Sequence, residues 1–164
     1  MELATFNQLS AGEAQAAIRH CVAIPHWQQA LVAARPFATT DALLATADAL
    51  AREWQQPELD AALSAHPRIG ERAKGADKEA ALSRGEQSAM QQADYALQQA
   101  MQQGNEAYEA RFGRVFLIRA KGRSGEQMLA ELQRRLQNSE VTEQQEALDQ
   151  LREITLLRLK ETIQ

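Results

Sequence analysis

The chain has 164 residues, of which 45% are hydrophobic, with a net charge of −4 and a single cysteine. That length and composition describe one globular domain spanning residues 1–164 with a core of its own, not a disordered chain. The acidic balance, without a basic stripe interleaved with aromatics, argues against nucleic acid as a partner, and no apolar run approaches the ~18 residues of a membrane span. Cys21 has no second cysteine to pair with, and Met1–Thr5 has neither the basic nor the apolar region of a signal peptide, so the expected setting is reducing and cytoplasmic.

Ser10-Ala11-Gly12-Glu13 has the form of a capping box. The helix it opens carries Ala14, Ala17, Ile18 and Cys21 at helical spacing and stops at Pro25. Trp27, Ala30, Leu31 and Ala34 mark a second short helix, ended by Arg35-Pro36. A third runs from Asp41 to Trp54 with Leu43, Leu44, Ala47 and Leu50 on one face. Pro57 suits a first helical turn, and the helix through Leu59 to Ser64 ends at His66-Pro67. A charged connection follows to residue 82, with glycines at 70 and 75.

From Ser83 to Gly104 the pattern predicts one long helix, with Met90, Ala93, Leu97, Ala100 and Met101 inward and glutamines on the solvated face. Asn105–Arg111 forms another helical piece, broken at Phe112-Gly113. Val115-Phe116-Leu117-Ile118 is strand-like but has no partner strand, so it is expected as a short, buried extended segment. Ser124-Gly125-Glu126-Gln127 is a second capping box, and Thr142 with Gln145 is expected to cap the last helix. The fold class is therefore all-α: a compact bundle of about eight helices with one extended segment.

Four places can carry chemistry. The first is His66-Pro67-Arg68-Ile69-Gly70. An imidazole titrates near neutrality, and Pro67 stiffens the backbone beside it and turns His66 away from helical geometry. A proton donor fits there; so does a helix-end histidine that packs on Pro67 and bonds a carbonyl. The second is Ser83-Arg84-Gly85-Glu86-Gln87, which is either a capping box or a set of polar groups around a ligand at a helix start. The third is the extended run from Phe112 to Ser124, whose main-chain N–H and C=O groups can read an amide or urea if they are not spent on a helix. The fourth is Arg158, which interrupts the apolar stripe of the last helix as a buried cation or a snorkelling one. No phosphate-binding glycine loop, Gly-x-Ser-x-Gly or HExxH occurs, and His20, His26, His66 and Cys21 have no zinc spacing.

Phe6-Asn7, Trp27, Arg35-Pro36-Phe37, His66-Pro67-Arg68-Ile69-Gly70, Ser83-x-x-Glu86-Gln87, Tyr108-x3-Phe112-Gly113, Phe116-x-Ile118-x-Ala120-x-Gly122-Arg123-Ser124 and Arg158 follow one another in a recognisable order. In that order and spacing the chain resembles the decarboxylases of 2-oxo-4-hydroxy-4-carboxy-5-ureidoimidazoline (OHCU), enzymes of uric acid breakdown. The resemblance implies an all-α, cofactor-free and metal-free enzyme, usually a homodimer, that releases CO2 from OHCU and gives (S)-allantoin. It implies His66 as proton donor and Pro67 lining the pocket; the chemistry of proton delivery then makes Glu86 the expected carboxylate to position the imidazole. It carries ligand contacts to Ser83, Arg84, Gly85, Glu86 and Gln87, to the run Ile118, Arg119, Ala120, Lys121 and Gly122, and to Arg158. The chain departs from the family where Phe112-Gly113-Arg114-Val115-Phe116 replaces the frequent Phe-Gly-Phe-Pro-Phe, and where Ser88-Ala89-Met90 follows the Glu-Gln pair.

The chemistry implied is economical. Loss of CO2 leaves an electron pair that the substrate's own conjugated C=N and C=O groups can delocalise. The protein then has to orient the carboxylate and deliver one proton to one face. Two other functions fit the residues. One is a helical interaction module that uses the glutamine-rich faces and has no small-molecule site. The other is a hydrolase or isomerase of a related ureido compound with His66 as base.

Overall fold

A computed structural model describes residues 1–66, 68–70, 82, 85–91 and 93–164. Among them the structure is all-helical without strands: α1 (Leu3–Gln8), α2 (Ala11–Ile18), α3 (Pro25–Ala33), α4 (Thr40–Ala51), α5 (Gln56–Leu63), α6 (Ser88–Gln91), α7 (Tyr95–Phe112), α8 (Gly125–Arg135) and α9 (Glu140–Thr162). The chain divides into two compact units, residues 1–62 with 152–164, and residues 63–151. The last helix gives its first part to the second unit and the remainder to the first.

In the first unit, α2 packs on α1 and α3, and α3 packs on α4. Phe6, Ile18, Trp27, Leu31, Leu43, Ala47 and Leu59 are buried there. Trp27 meets Trp54 edge-on at 6.1 Å, and its indole N–H donates to the Ala47 carbonyl at 3.1 Å. Both indoles thus combine apolar burial with directed packing. Two residues of the sequence signature are structural. The Asn7 amide pairs with both backbone groups of Phe37, at 2.9 Å each. Arg35 donates to the carbonyls of Phe6, Leu9 and Val32 at 2.7–2.9 Å. Those carbonyls lie at helix ends, where the regular i+4 donors run out and only longer contacts from the capping N–H groups remain, such as Leu9 to Phe6 at 3.4 Å. Cys21 is buried, as its place on an apolar face implies.

Ser10 caps α2 by accepting the Glu13 N–H at 3.2 Å, but the Glu13 carboxylate takes the Ser10 hydroxyl at 2.7 Å in place of its backbone N–H. Contrary to the expectation from the sequence, Pro25 does not end α2. It opens α3 from inside the first turn, where its missing N–H would have had no partner anyway, while α2 has already ended at Ile18.

The second unit has a cluster of buried apolar side chains drawn from separate stretches of chain: Ile69, Met90, Met101, Tyr108, Phe112, Phe116, Ile118, Ala120, Met128 and Leu132. The long helix expected over 83–104 is interrupted. Asp94 has extended backbone (φ −69°, ψ 168°), accepts the Leu97 N–H at 2.8 Å and starts α7 afresh. That helix then runs through Gly104 and Asn105 to Phe112. Gly104 is kept because α7 and α8 approach closely: a Cβ there would collide with Leu132 Cδ2. The capping box at Ser124 and Gln127 is complete, with both reciprocal bonds made. The last helix is capped one turn earlier than expected, since Ser139 accepts the Thr142 N–H at 3.2 Å. Residues 115–120 are neither helical nor paired in a sheet, in agreement with a lone extended segment.

Candidate active site

The second unit gathers three of the four stretches. His66 follows α5, its N–H bonded to the Leu63 carbonyl at 3.1 Å, and is half-buried. The turn beyond it is held from three sides. Arg68 forms a bidentate pair with Glu109 at 2.7 and 2.8 Å. Asn105, 3% exposed, donates to the Ile69 carbonyl at 2.7 Å. Gly70, at φ +94°, donates its N–H to Gln87 Oε1 at 3.1 Å. The left-handed backbone is one that glycine adopts without a Cβ penalty.

That last bond joins the His66 turn to the Glu-Gln segment. Gln87 is buried and Glu86 half-buried, while Gly85 is exposed. Below the polar groups the apolar neighbours of all three stretches meet. Ile69 belongs to the turn, Met90 follows Gln87, and Ile118 and Ala120 belong to the extended run. A shared apolar cluster fixes these stretches relative to one another more firmly than one hydrogen bond between polar side chains would.

The extended run has an uneven hydrogen-bonding pattern. Arg135 Nη1 donates to the Leu117 carbonyl at 2.7 Å, Gln150 Oε1 accepts the Arg119 N–H at 2.8 Å, and Arg123 Nε donates to the Arg119 carbonyl at 2.9 Å. The Ala120 carbonyl accepts the Arg123 N–H at 3.1 Å in the turn that contains Lys121 and Gly122, both exposed. Among the described residues no hydrogen bond takes up the N–H or C=O of Ile118, a residue 3% exposed.

Arg135 carries a network that the sequence pattern did not single out. Its Nε lies 2.7 and 3.2 Å from the two carboxylate oxygens of Glu143 and its Nη2 lies 2.5 Å from Oε1. Tyr108 donates to the same Oε1 at 2.8 Å, Asn138 donates to Oε2 at 3.2 Å, and the guanidinium lies 4.5 Å from the Phe116 ring centroid. Burial, followed by the nearby Glu143 charge, pushes the Tyr108 phenol well above its ordinary range. The available signal was polar side chains on otherwise apolar helix faces, Glu143 four residues before Ala147 and Arg135 three after Leu132.

Other expectations divide. Pro67, Ser83 and Arg84 lie outside the described residues, and with them the Ser83–Glu86 capping box. Arg158 is in the first unit, 1% exposed, and its Nη1 donates to the His20 carbonyl at 3.3 Å, so it is a buried cation and not a snorkelling one. His20 is buried too, its Nε2 2.7 Å from Thr162 Oγ1. A cleft of about 280 Å³ borders the Arg68–Gly70 turn, lined also by Tyr95, Gln98 and Asn105. Among the described residues no group of three or more His, Cys, Asp or Glu side chains converges as a metal site, and no helix is long and apolar enough to cross a membrane.

The class defined by these features is an all-α protein in which a His-Pro turn, a Glu-Gln segment and an extended run rest on one apolar cluster. The OHCU decarboxylase family model matches residues 7–160. A 2-oxo-4-hydroxy-4-carboxy-5-ureidoimidazoline decarboxylase of Haloferax volcanii is 32% identical over 128 residues, 77% of this chain and 74% of that protein. The crystal structure of an OHCU decarboxylase in the presence of (S)-allantoin superposes with a TM-score of 0.73 at 25% identity, covering 87% of this chain and 94% of the other. That of an (S)-allantoin synthase gives 0.74 at 19% identity over 99% of this chain and 54% of the other, a likeness of fold. The chain belongs to the OHCU decarboxylase family.

Proposed function

We propose that this protein is a carboxy-lyase that decarboxylates OHCU to (S)-allantoin in urate degradation, with His66 as proton donor. Family membership supports the reaction. The observation that carries the site is the joining of the His66 turn to the Glu-Gln segment through the Gly70–Gln87 bond, above a cluster that includes Ile118 and Ala120.

In this reading the extended run is the amide reader. The Ile118 N–H and C=O, with the main chain on to Ala120, Lys121 and Gly122, meet the complementary groups of a ureido ligand. Arg119 contributes to the same surface. Gln87 binds the ligand while holding Gly70, and Gly85 and Glu86 supply the adjoining contacts, with Pro67, Ser83 and Arg84 of the same motifs. For Arg158 the support is the resemblance of the last helix. The carboxylate departs as CO2, and the electron pair enters the ring's conjugated system. His66 then gives a proton to one face of the carbon, with Glu86 orienting the imidazole. The whole chain acts as one such domain, in a cytoplasmic homodimer.

The test is circular dichroism on freshly made substrate, from urate with urate oxidase and hydroxyisourate hydrolase. Faster decay of the substrate signal with growth of an (S)-allantoin signal is expected. His66→Asn should lose about 10²–10⁴-fold in turnover with its helical spectrum intact. Decay at the spontaneous rate to racemic product would refute the reaction, and near wild-type turnover of His66→Asn would refute the proton donor.

A further inference from the structure

We infer that Gln150 and Arg135 are positioning residues, which hold one edge of the 115–120 run so that the Ile118 edge faces the ligand. The inference rests on the functional reading above. In an extended chain, successive residues direct their N–H and C=O groups to opposite edges. The groups taken by the side chains of Arg135, Gln150 and Arg123 are the Leu117 C=O, the Arg119 N–H and the Arg119 C=O. These three belong to odd-numbered residues and hence to one edge. Ile118 lies between them, and its two groups belong to the other edge. On that Ile118 edge, the Ala120 C=O is closed by the Arg123 N–H of the following turn.

A lone extended segment has no sheet to fix its register or rotation. Here helix side chains do the work of a neighbouring strand. Glu143, Ala147 and Gln150 are spaced i, i+4 and i+7 on α9 and share one face. Gln150 reaches the run directly, and Glu143 reaches it through Arg135. The Arg135 guanidinium is bound on several sides, by the Glu143 carboxylate, the Leu117 carbonyl and the Phe116 ring. Such a group has little freedom to turn. Rotation of the run about its own axis would carry the Ile118 groups out of register with the ligand, and displacements of about 1 Å can cost 10²-fold in rate.

Arg135 is so buried that its removal also threatens folding, so Gln150, half-buried, is the residue to test. Gln150→Leu removes the acceptor for the Arg119 N–H, whereas Gln150→Glu keeps it. Steady-state kinetics of wild type and both variants, with the enantiomeric excess of the allantoin formed, give the readout. Gln150→Leu should raise KM about tenfold, with a smaller fall in kcat and a loss of product chirality, at an unchanged far-ultraviolet spectrum. Gln150→Glu should restore KM to within about threefold of wild type, because the carboxylate accepts the same bond. If Gln150→Leu matches wild type, or Gln150→Glu is as impaired as Gln150→Leu, the positioning role is wrong while the decarboxylase reading stands. If wild type itself does not speed the reaction, the functional reading falls and takes this inference with it.

Discussion

Replacing Glu143 by Leu tests the buried network that supports the site. Glu143 is fully buried and accepts from Tyr108, Arg135 and Asn138. The substitution leaves the Arg135 guanidinium, 1% exposed, without its counter-charge, and the Tyr108 hydroxyl without its acceptor. Breaking a buried pair from one side costs about 3–5 kcal/mol, since the remaining charge has lost water and partner alike. For a chain of this length that lowers Tm by roughly 9–15 °C. Thermal and urea unfolding followed at 222 nm would measure it. The companion double variant, Arg135→Met with Glu143→Leu, removes both charges and should recover much of the loss, because an apolar pair of similar volume carries no desolvation penalty. A single variant within about 1 kcal/mol of wild type, or a double variant no better than the single one, would refute the view that Glu143 neutralises a buried cation.

Gly104→Ala sets a helix-propensity gain of about 1 kcal/mol against a collision with Leu132, for which overpacking costs about 1–3 kcal/mol. A net loss of stability is expected in a urea melt, and a raised midpoint would mean that α7 and α8 part without cost. The Tyr108 phenol is raised above its ordinary value by burial, so the unfolded chain releases this proton first as pH rises. Its contribution is complete below about pH 10 and declines above it; Tyr108→Phe should flatten that alkaline limb of the stability profile. Glu146 is held below the usual carboxylate range chiefly by its hydrogen bond from Arg134, with Asn138 assisting. Its contribution is therefore present above the unfolded carboxyl pKa of about 4.3 and is lost as pH falls, so Glu146→Gln should reduce the acid sensitivity of unfolding below about pH 5.

Most of the helices were legible in the order of residues alone. Apolar residues at helical spacing, the Ser10 and Ser124 caps and the proline positions are local signals, and they act wherever the chain lies. The run at 115–118 was legible as extended because Val115 to Ile118 has no helical periodicity and no second strand to pair with. His66, Glu86, Gln87 and the 118–122 run were legible as an ordered set whose spacing resembles one family, and the family match bears out that resemblance.

Tertiary structure decided the rest. Whether residues 83–104 form one helix turned on the Asp94 side chain competing for the Leu97 N–H, a choice that average periodicity does not register. The start of the last helix turned on Ser139 reaching the N–H that Thr142 would otherwise have left open. Above all, the sequence pattern did not single out Arg135, Glu143 and Gln150. Their partners are a tyrosine 35 residues away from Glu143, a carbonyl 18 residues from Arg135 and an amide 31 residues from Gln150. Spacing within a helix assigns a face to a side chain, but only the packed chain brings to that face the main-chain groups it must satisfy.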